Sequence, residues 1–290
     1  MKIIYTSNDL QKEVKKHKSE GKSIGFAPTM GALHDGHMAL MNMSNKENDI
    51  TICSVFVNPT QFNEKSDLDK YPRTLENDAK LLEQNNVDIL YAPSVDDVYP
   101  SNIETTLDID FKGMDEEMEG EFRPGHFEGV AQVVKRLLDI TTPDKLYMGQ
   151  KDFQQFSLIQ YMIEYYKLPV QLRVVPIIRE ESGLAMSSRN MRLSKEEKKK
   201  AAEIYKTLKA VNRKKYKLST SELEEYAMNR LAKKEGFKPE YFTIADGRTL
   251  KSIENIKSTN YVVACTAVWV GNVRLIDNMI LRKPRNIGLF

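Results

Sequence analysis

Between Asp49 and Asn58 the chain reads DITICSVFVN. The centre of this stretch is β-branched and almost wholly apolar, with no alternation of polar and apolar positions. A strand of that kind is covered on both faces, the environment of a parallel sheet flanked by helices. Outward from it, short apolar runs at Ser23–Pro28, Val87–Ala92, Lys145–Met148 and Val170–Ile178 predict further strands. Asn8–Glu20, Gly36–Lys46, Arg73–Asn86, Gly129–Ile140 and Asp152–Tyr166 predict the helices between them. Such alternation implies βαβ units with right-handed crossovers, and the expected fold class is α/β, built on a parallel sheet.

After Asn190 the pattern changes. Ser194 with Glu197, and Ser219 with Glu222, are capping-box pairs that open two helices. Strand-like stretches follow at Tyr241–Ala245, Tyr261–Val270 and Val273–Leu281. The expected division is a first domain over 1–180 and a smaller C-terminal α+β domain over 181–290. The run KEEKKK at Lys195–Lys200 reads as a solvated helix face, because glutamates interrupt it. The basic, proline-interrupted tail Arg282–Phe290 is expected to be partly disordered.

The chain's 290 residues are 41% apolar and 29% charged, enough to build a sizeable core. With 43 basic and 41 acidic residues it lacks the basic excess of a dedicated nucleic-acid binder. Its two cysteines, Cys53 and Cys265, lie in apolar runs without a CxxC spacing, so buried free thiols in a reducing compartment are expected. Met1–Leu10 has no apolar signal region, and no run of about 18 apolar residues occurs, so no membrane partner and a cytoplasmic location are expected.

The segment richest in chemistry is Gly25–His37, GFAPTMGALHDGH. A predicted strand enters a Pro-Thr-Met-Gly turn, and His34-Asp35-Gly36-His37 opens a helix. Glycines at 31 and 36 let the backbone approach a ligand, and free N–H groups at a helix start favour anions. His34 and His37 share one helical face, or the turn before it. From there they can donate to nucleotide phosphates and stabilise a pentavalent phosphorus centre. A zinc half-site is the competing reading. It needs a third ligand, and the other histidines are His126 and His17, which sits in a charged helix and reads as solvent-facing. Neither GxGxxG nor GxxxxGKS/T occurs, so ATP would be held by another device, for which the histidine turn is the candidate.

Three further clusters follow predicted strands or the expected boundary. Asn58 and Gln61, in VNPTQF, should face the crevice at the strand C-termini, where amides suit a substrate with hydroxyls beside a carboxylate. A polar turn is the plainer alternative. In GQKDFQQ, Gly149–Gln155, Lys151 offers a cation to phosphates, Asp152 can cap a helix or accept from ribose or metal-bound water, and Gln155 faces back one turn later. Met186-Ser187-Ser188-Arg189-Asn190 offers two hydroxyls and a guanidinium to a triphosphate. Asp115–Glu121 reads as a solvated acidic loop, and Arg123 and His126 as part of a pocket wall.

In this order, PTMGALHDGH, SVFVNPTQF, YPRT, RPGHFEGV, GQKDFQQ and GLAMSSRN resemble the pantothenate synthetase (pantoate–β-alanine ligase) family, from about Ile24 to Arg192 and more faintly through Asp277. The resemblance implies a Rossmann-like sheet of the HxGH nucleotidyltransferase type, with MSSR as a mobile loop over ATP. It implies ATP contacts from Met30, Gly31, Ala32, Leu33, His34, Asp35, Gly36 and His37, from Gly149, Gln150, Lys151 and Asp152, from Ile178, and from Met186, Ser187, Ser188 and Arg189. His37 (the family's usual proton donor), His34, Lys151, Ser187, Ser188 and Arg189 form the implied catalytic set. Gln61 and Gln155, with Asn58, form the substrate side. The implied reaction condenses (R)-pantoate with β-alanine at the expense of ATP, through pantoyl adenylate, in a cytoplasmic homodimer with no tightly bound cofactor. Relatives often carry paired aspartates near the metal where this chain has Glu76-Asn77-Asp78, so magnesium is expected to arrive on ATP phosphates, with no protein ligand named. The rivals are another nucleotidyltransferase acting on a phosphorylated acceptor, an aminoacyl-tRNA synthetase, a non-catalytic nucleotide sensor and a zinc hydrolase.

Overall fold

The computed structural model describes residues 1–62, 68–69 and 71–283. Six strands, β1 (Lys2–Ile4), β2 (Ile24–Thr29), β3 (Ile50–Val55), β4 (Ile89–Tyr91), β5 (Lys145–Gly149) and β6 (Gln171–Val175), form one sheet in the order β1-β4-β3-β2-β5-β6. Every pairing in it is parallel. The connecting helices are α1 (Ser7–Ser19), α2 (Asp35–Glu47), α3 (Leu75–Gln84), the short α4 (Val95–Val98) and α5 (Glu119–Phe122), α6 (His126–Thr141) and α7 (Phe153–Tyr165).

DITICSVFVN becomes β3, and its neighbouring side chains enter different cores. Ile50 and Ile52, with Ile24 and Phe26 of β2, pack with α1, α6 and α7. Cys53, with Ala27 of β2 and Leu90 of β4, packs on the opposite side with Met38 and Met41 of α2 and Leu82 of α3. Both faces are dry, so both must be apolar. From β2 the chain steps outward through β3 and β4, then returns to lay β5 on the other side of β2. That reversal opens a crevice at the C-terminal ends of β2 and β5, the place where such sheets bind ligands.

The C-terminal part holds α8 (Lys195–Lys214), α9 (Thr220–Ala232) and an antiparallel sheet β7 (Phe237–Asp246), β8 (Val262–Val270), β9 (Val273–Arg282). Both expected capping boxes form. One face of this sheet, through Ala264, Val268 and Leu275, packs with α8 and α9. Tyr261, Val263 and Cys265 join the core of the parallel sheet instead, with the Tyr261 ring 5.9 Å from Phe153. The two sheets therefore share apolar packing across the expected boundary.

Several elements differ from expectation for local reasons. β1 is only three residues, too short to show a period. β6 stops at Val175 because Pro176 cannot donate to a ladder. β7 starts earlier than expected, running through Pro239 on the edge of its sheet with a register shift between Pro239 and Tyr241. α6 starts at His126, after Gly125 in a left-handed conformation. Arg282 ends β9 and donates to the Thr259 carbonyl at 2.7 Å, so it is not part of a tail. The rest of the predicted tail from residue 284 onward lies outside the described residues. His17 is not solvent-facing: its side chain is 14% exposed and lies 3.4 Å from Glu13. Cys53 and Cys265 are both free and buried. Among the described residues no helix is long and apolar enough to cross a membrane.

Candidate active site

The C-terminal ends of β2, β3, β5 and β6 open onto a cavity of 830 Å³. All four sequence clusters contribute to its wall: Met30, His34, Gly36 and His37; Asn58 and Gln61; Gly149 to Gln155; Ile178 and Met186 to Asn190. Gly31, Ala32, Leu33 and Asp35 do not line it. Asp35 is exposed, and the other three lie behind the wall, where the Ala32 and Leu33 N–H groups donate to the Asp78 carboxylate at 3.0 and 2.8 Å. Those two amides are spent on Asp78; they lie ahead of the N-cap of α2 and are not among its free N–H groups.

His34 and His37 are fixed by the start of α2. His34 is its N-cap, and its Nδ1 accepts from the Gly36 N–H at 3.1 Å. The ring lies so close over residue 36 that a Cβ there would meet it at 2.8 Å and push the imidazole aside. The His34 N–H in turn donates to His37 Nδ1 at 3.3 Å. With both Nδ1 atoms accepting, the ring protons of the neutral imidazoles sit on Nε2. The ring centroids are 4.1 Å apart. Burial, then the neighbouring His34 and Lys151, push the His37 pKa down to about 3; burial and Lys151 lower that of His34. The pair is a set of two neutral N–H donors.

Across the crevice, Gln61 is held at several points. Its carbonyl accepts from His126 Nδ1 at 2.8 Å, its amide N–H donates to Met30 Sδ at 3.0 Å, and its Oε1 accepts from Asn58 Nδ2 at 3.3 Å. Asn58 itself is 1% exposed and fully engaged. It also donates to the Gly129 carbonyl at 3.1 Å and accepts from Tyr99 OH at 2.9 Å. It therefore braces Gln61, whereas the sequence suggested a group offered to substrate. Gln154 is likewise consumed, donating to the Met114 and Glu117 carbonyls, while Gln155 beside it has no protein partner among the described residues. If Gln155 receives the hydroxy acid, as the motif resemblance implies, Gln155→Ala should weaken that ligand far more than ATP, by about 1–3 kcal/mol where a buried partner is left unpaired. Equal losses for the two ligands in equilibrium titration would mean that the pocket had collapsed.

The GQKD turn is anchored from the other sheet. Asn278 of β9 donates to the Gln150 and Lys151 carbonyls at 2.9 and 2.8 Å, and accepts from the Gln150 side chain at 3.2 Å. Lys151 Nζ lies 3.3 Å from Asp152 Oδ1. Burial raises the Asp152 pKa, but Lys151, with Arg189 and His37 behind it, outweighs this and holds the carboxyl below its ordinary range. The Met186–Asn190 loop is tied down by a Met186 N–H bond to the Ile178 carbonyl at 3.0 Å and by buried Asn190, which donates to the Ala185 carbonyl at 3.0 Å. Ser187 caps the short turn Ser188–Arg192.

Sequence reasoning missed the opposite wall. Within the acidic stretch read as a solvated loop, Glu119 is buried and pairs with both terminal nitrogens of Arg274 on β9, at 2.7 and 2.9 Å. Tyr241 OH donates to the same carboxylate at 2.9 Å, and Glu240 accepts from Arg274 and Trp269 at 2.7 and 2.6 Å. Arg274 lies in the predicted strand Val273–Leu281, but its partner Glu119 is 155 positions away in the chain. Asp78, noted in the sequence only where relatives carry aspartates near a metal, instead accepts from the turn ahead of α2.

The family model described as "Pantoate-beta-alanine ligase" matches residues 2–280. The chain belongs to the pantoate–β-alanine ligase family. It is 46% identical over 279 residues to the pantothenate synthetase of Bacteroides fragilis, covering 96% of this chain and 98% of that protein. It is 48% identical over 281 residues to that of Azobacteroides pseudotrichonymphae, covering 96% and 99%. The crystal structure of the Thermus thermophilus pantothenate synthetase superposes with a TM-score of 0.90 at 36% identity, covering 98% of this chain and all of that one. The pantoate–β-alanine ligase of Francisella tularensis, solved in complex with "Beta-gamma ATP" and β-alanine, is 34% identical with a TM-score of 0.78, over 97% and 98% of the two chains. For this pantoate–β-alanine ligase the expected Rossmann-like parallel sheet with a smaller C-terminal α+β unit is the observed architecture, the sheet of that unit being antiparallel.

Proposed function

We propose that one cavity serves both halves of the reaction of pantoate–β-alanine ligase, the ATP-dependent condensation of (R)-pantoate with β-alanine to pantothenate, AMP and pyrophosphate. The observation that carries the assignment of roles is the pair of neutral Nε2–H donors at the start of α2, on the same cavity as Lys151. In the first half, the pantoate carboxylate attacks the α-phosphorus of ATP, pyrophosphate leaves and pantoyl adenylate forms. His34, His37 and Lys151 would meet charge developing on the phosphate oxygens, and Ser187, Ser188 and Arg189 would hold the leaving pyrophosphate. With its pKa lowered by burial, His37 would serve the phosphate as an Nε2–H hydrogen-bond donor. In the second half, the β-alanine amine attacks the acyl carbon and AMP is expelled. Gln61 and Gln155 would receive the hydroxyls and carboxylate of pantoate, with Gln61 also next to β-alanine.

Among the described residues no three His, Cys, Asp or Glu side chains converge as a metal site. Magnesium would enter on the oxygens of ATP, as its chemistry favours. Cytoplasmic location follows in this proposal from the need for ATP and from two thiols suited to a reducing compartment, and homodimeric assembly from the family.

Pyrophosphate exchange tests the reading. With Mg-ATP and pantoate alone, the purified protein should exchange labelled pyrophosphate into ATP, and adding β-alanine should then yield AMP and pantothenate. A folded, ATP-binding preparation without pantoate-dependent exchange would sink the adenylate route. Exchange only with a phosphorylated acceptor would point to the nucleotidyltransferase rival.

A further inference from the structure

We propose that Asp78 is a positioning residue for adenylation: it clamps the left-handed turn ahead of α2 and thereby sets the orientation of His34 and His37. The turn has two successive residues at positive φ, Gly31 at 85° and Ala32 at 51°. The second is costly for a residue with a Cβ, and such a conformation persists only where the surroundings enforce it. Asp78, in the first turn of α3, supplies the enforcement. It is 3% exposed, its Oδ2 accepts from the Ala32 N–H at 3.0 Å and its Oδ1 from the Leu33 N–H at 2.8 Å. Thr74, the N-cap of α3, makes no cap bond and sends its hydroxyl to Asp78 Oδ2 at 3.1 Å.

Among the described residues no lysine, arginine or histidine pairs with this carboxylate. A buried carboxylate without a cation is tolerated only when hydrogen bonds take up its charge, and consecutive backbone N–H groups form the concavity that does so. The clamp ends at Leu33, one residue before the N-cap histidine. From His34 on, each imidazole is oriented by a backbone amide, the Gly36 N–H for His34 and the His34 N–H for His37. A change in the direction in which the chain enters α2 therefore shifts both amides and both rings together. Asp78 does not line the cavity, so it acts through the turn and not on substrate.

This proposal rests on the adenylation reading above, and its first readout is independent of that reading. Asp78→Asn keeps the shape but turns an accepting oxygen towards a donor into an NH2 group, breaking one of the two backbone bonds. Nitrogen NMR of the four imidazoles should then show His34 and His37 leaving a single Nε2–H tautomer for a mixture, with His17 and His126 unchanged. Pantoate-dependent pyrophosphate exchange should fall about 10²-fold in kcat, the scale of a 1 Å misplacement, with little change in the KM for pantoate. If Asp78→Asn does not fold, Thr74→Val decides, since it removes only the hydroxyl bond; it should give the same tautomer mixing in part and a severalfold slower exchange. Unaltered tautomers in the folded variant overturn the proposal, as does full exchange restored by raised magnesium, which would assign Asp78 to a metal. Loss of exchange in the unmodified protein, with a single Nε2–H tautomer seen for both histidines, would instead count against the adenylation reading alone.

Discussion

His37→Ala should slow formation of the adenylate by about 10²–10³-fold, the scale for losing one preorganised donor to a developing oxyanion. The fold should survive, because the ring is only half-buried at a helix start. What it gives up is the bond from the His34 N–H to Nδ1, a capping contact worth about 0.5–2 kcal/mol. Single-turnover adenylation separates the two effects, and a near-normal rate would remove His37 from the chemistry. The pH dependence carries the same distinction. The folded-state pKa of His37, about 3, lies below its ordinary 6.5, so folding favours the neutral ring. On acidification the unfolded chain takes up this proton first. The stability held by the neutral ring is therefore complete above about 6.5 and is lost as the pH falls towards about 3, at up to about 1.4 kcal/mol per pH unit. His126, pushed by burial to about 4, adds a second contribution of the same sign. Denaturant titrations between pH 7 and 5 should show a shallower loss in His37→Ala than in the unmodified chain. A rate profile that rises on protonation of a group near 6.5, and loses that limb in the variant, would show a charged imidazole at work.

Arg274→Ala should cost about 3–5 kcal/mol of stability, the penalty for leaving partners of a buried ion pair uncompensated. Arg274 is 16% exposed and serves two carboxylates, Glu119 at 9% and Glu240 at 17%. Burial alone would raise the Glu119 pKa, and the Arg274 guanidinium reverses that and holds the carboxyl below its usual range. Without the guanidinium, two half-dry carboxylates face each other, and the Tyr241 hydroxyl cannot satisfy both. Because the pair joins α5, on the cavity wall, to β7 and β9, the loss should appear as a lowered denaturation midpoint together with weaker substrate binding. Arg274→Lys should recover only part of it, since an ammonium cannot fork to one carboxylate while serving a second. A change below 1 kcal/mol would show that the wall stands without this contact.

Much of the architecture was legible because its signals are local. An apolar run such as DITICSVFVN needs cover on both faces, capping boxes at Ser194 and Ser219 open helices whatever lies around them, and the glycines at 31 and 36 mark a turn that must pass close to something. The motif order was sufficient to identify the family and to bring His34, His37, Lys151, Gln61 and the Met186–Arg189 loop to one crevice. By contrast, the difference between Gln155, which has no protein partner among the described residues, and Asn58 and Gln154, whose amides are consumed by carbonyls from α6 and the 114–117 segment, has no signature in residue type. Nor does the choice of Glu119 as a buried anion within an acidic run, since its partner lies 155 positions away. The sequence by itself determined the strands, the turns and the kinds of groups that could meet ATP and a hydroxy acid, because these depend on periodicity, caps and side-chain chemistry within a few residues. Only the tertiary structure decided which polar groups stay open to a ligand and which are spent holding the others in place, because hydrogen-bond satisfaction and desolvation are set by neighbours brought together from distant parts of the chain.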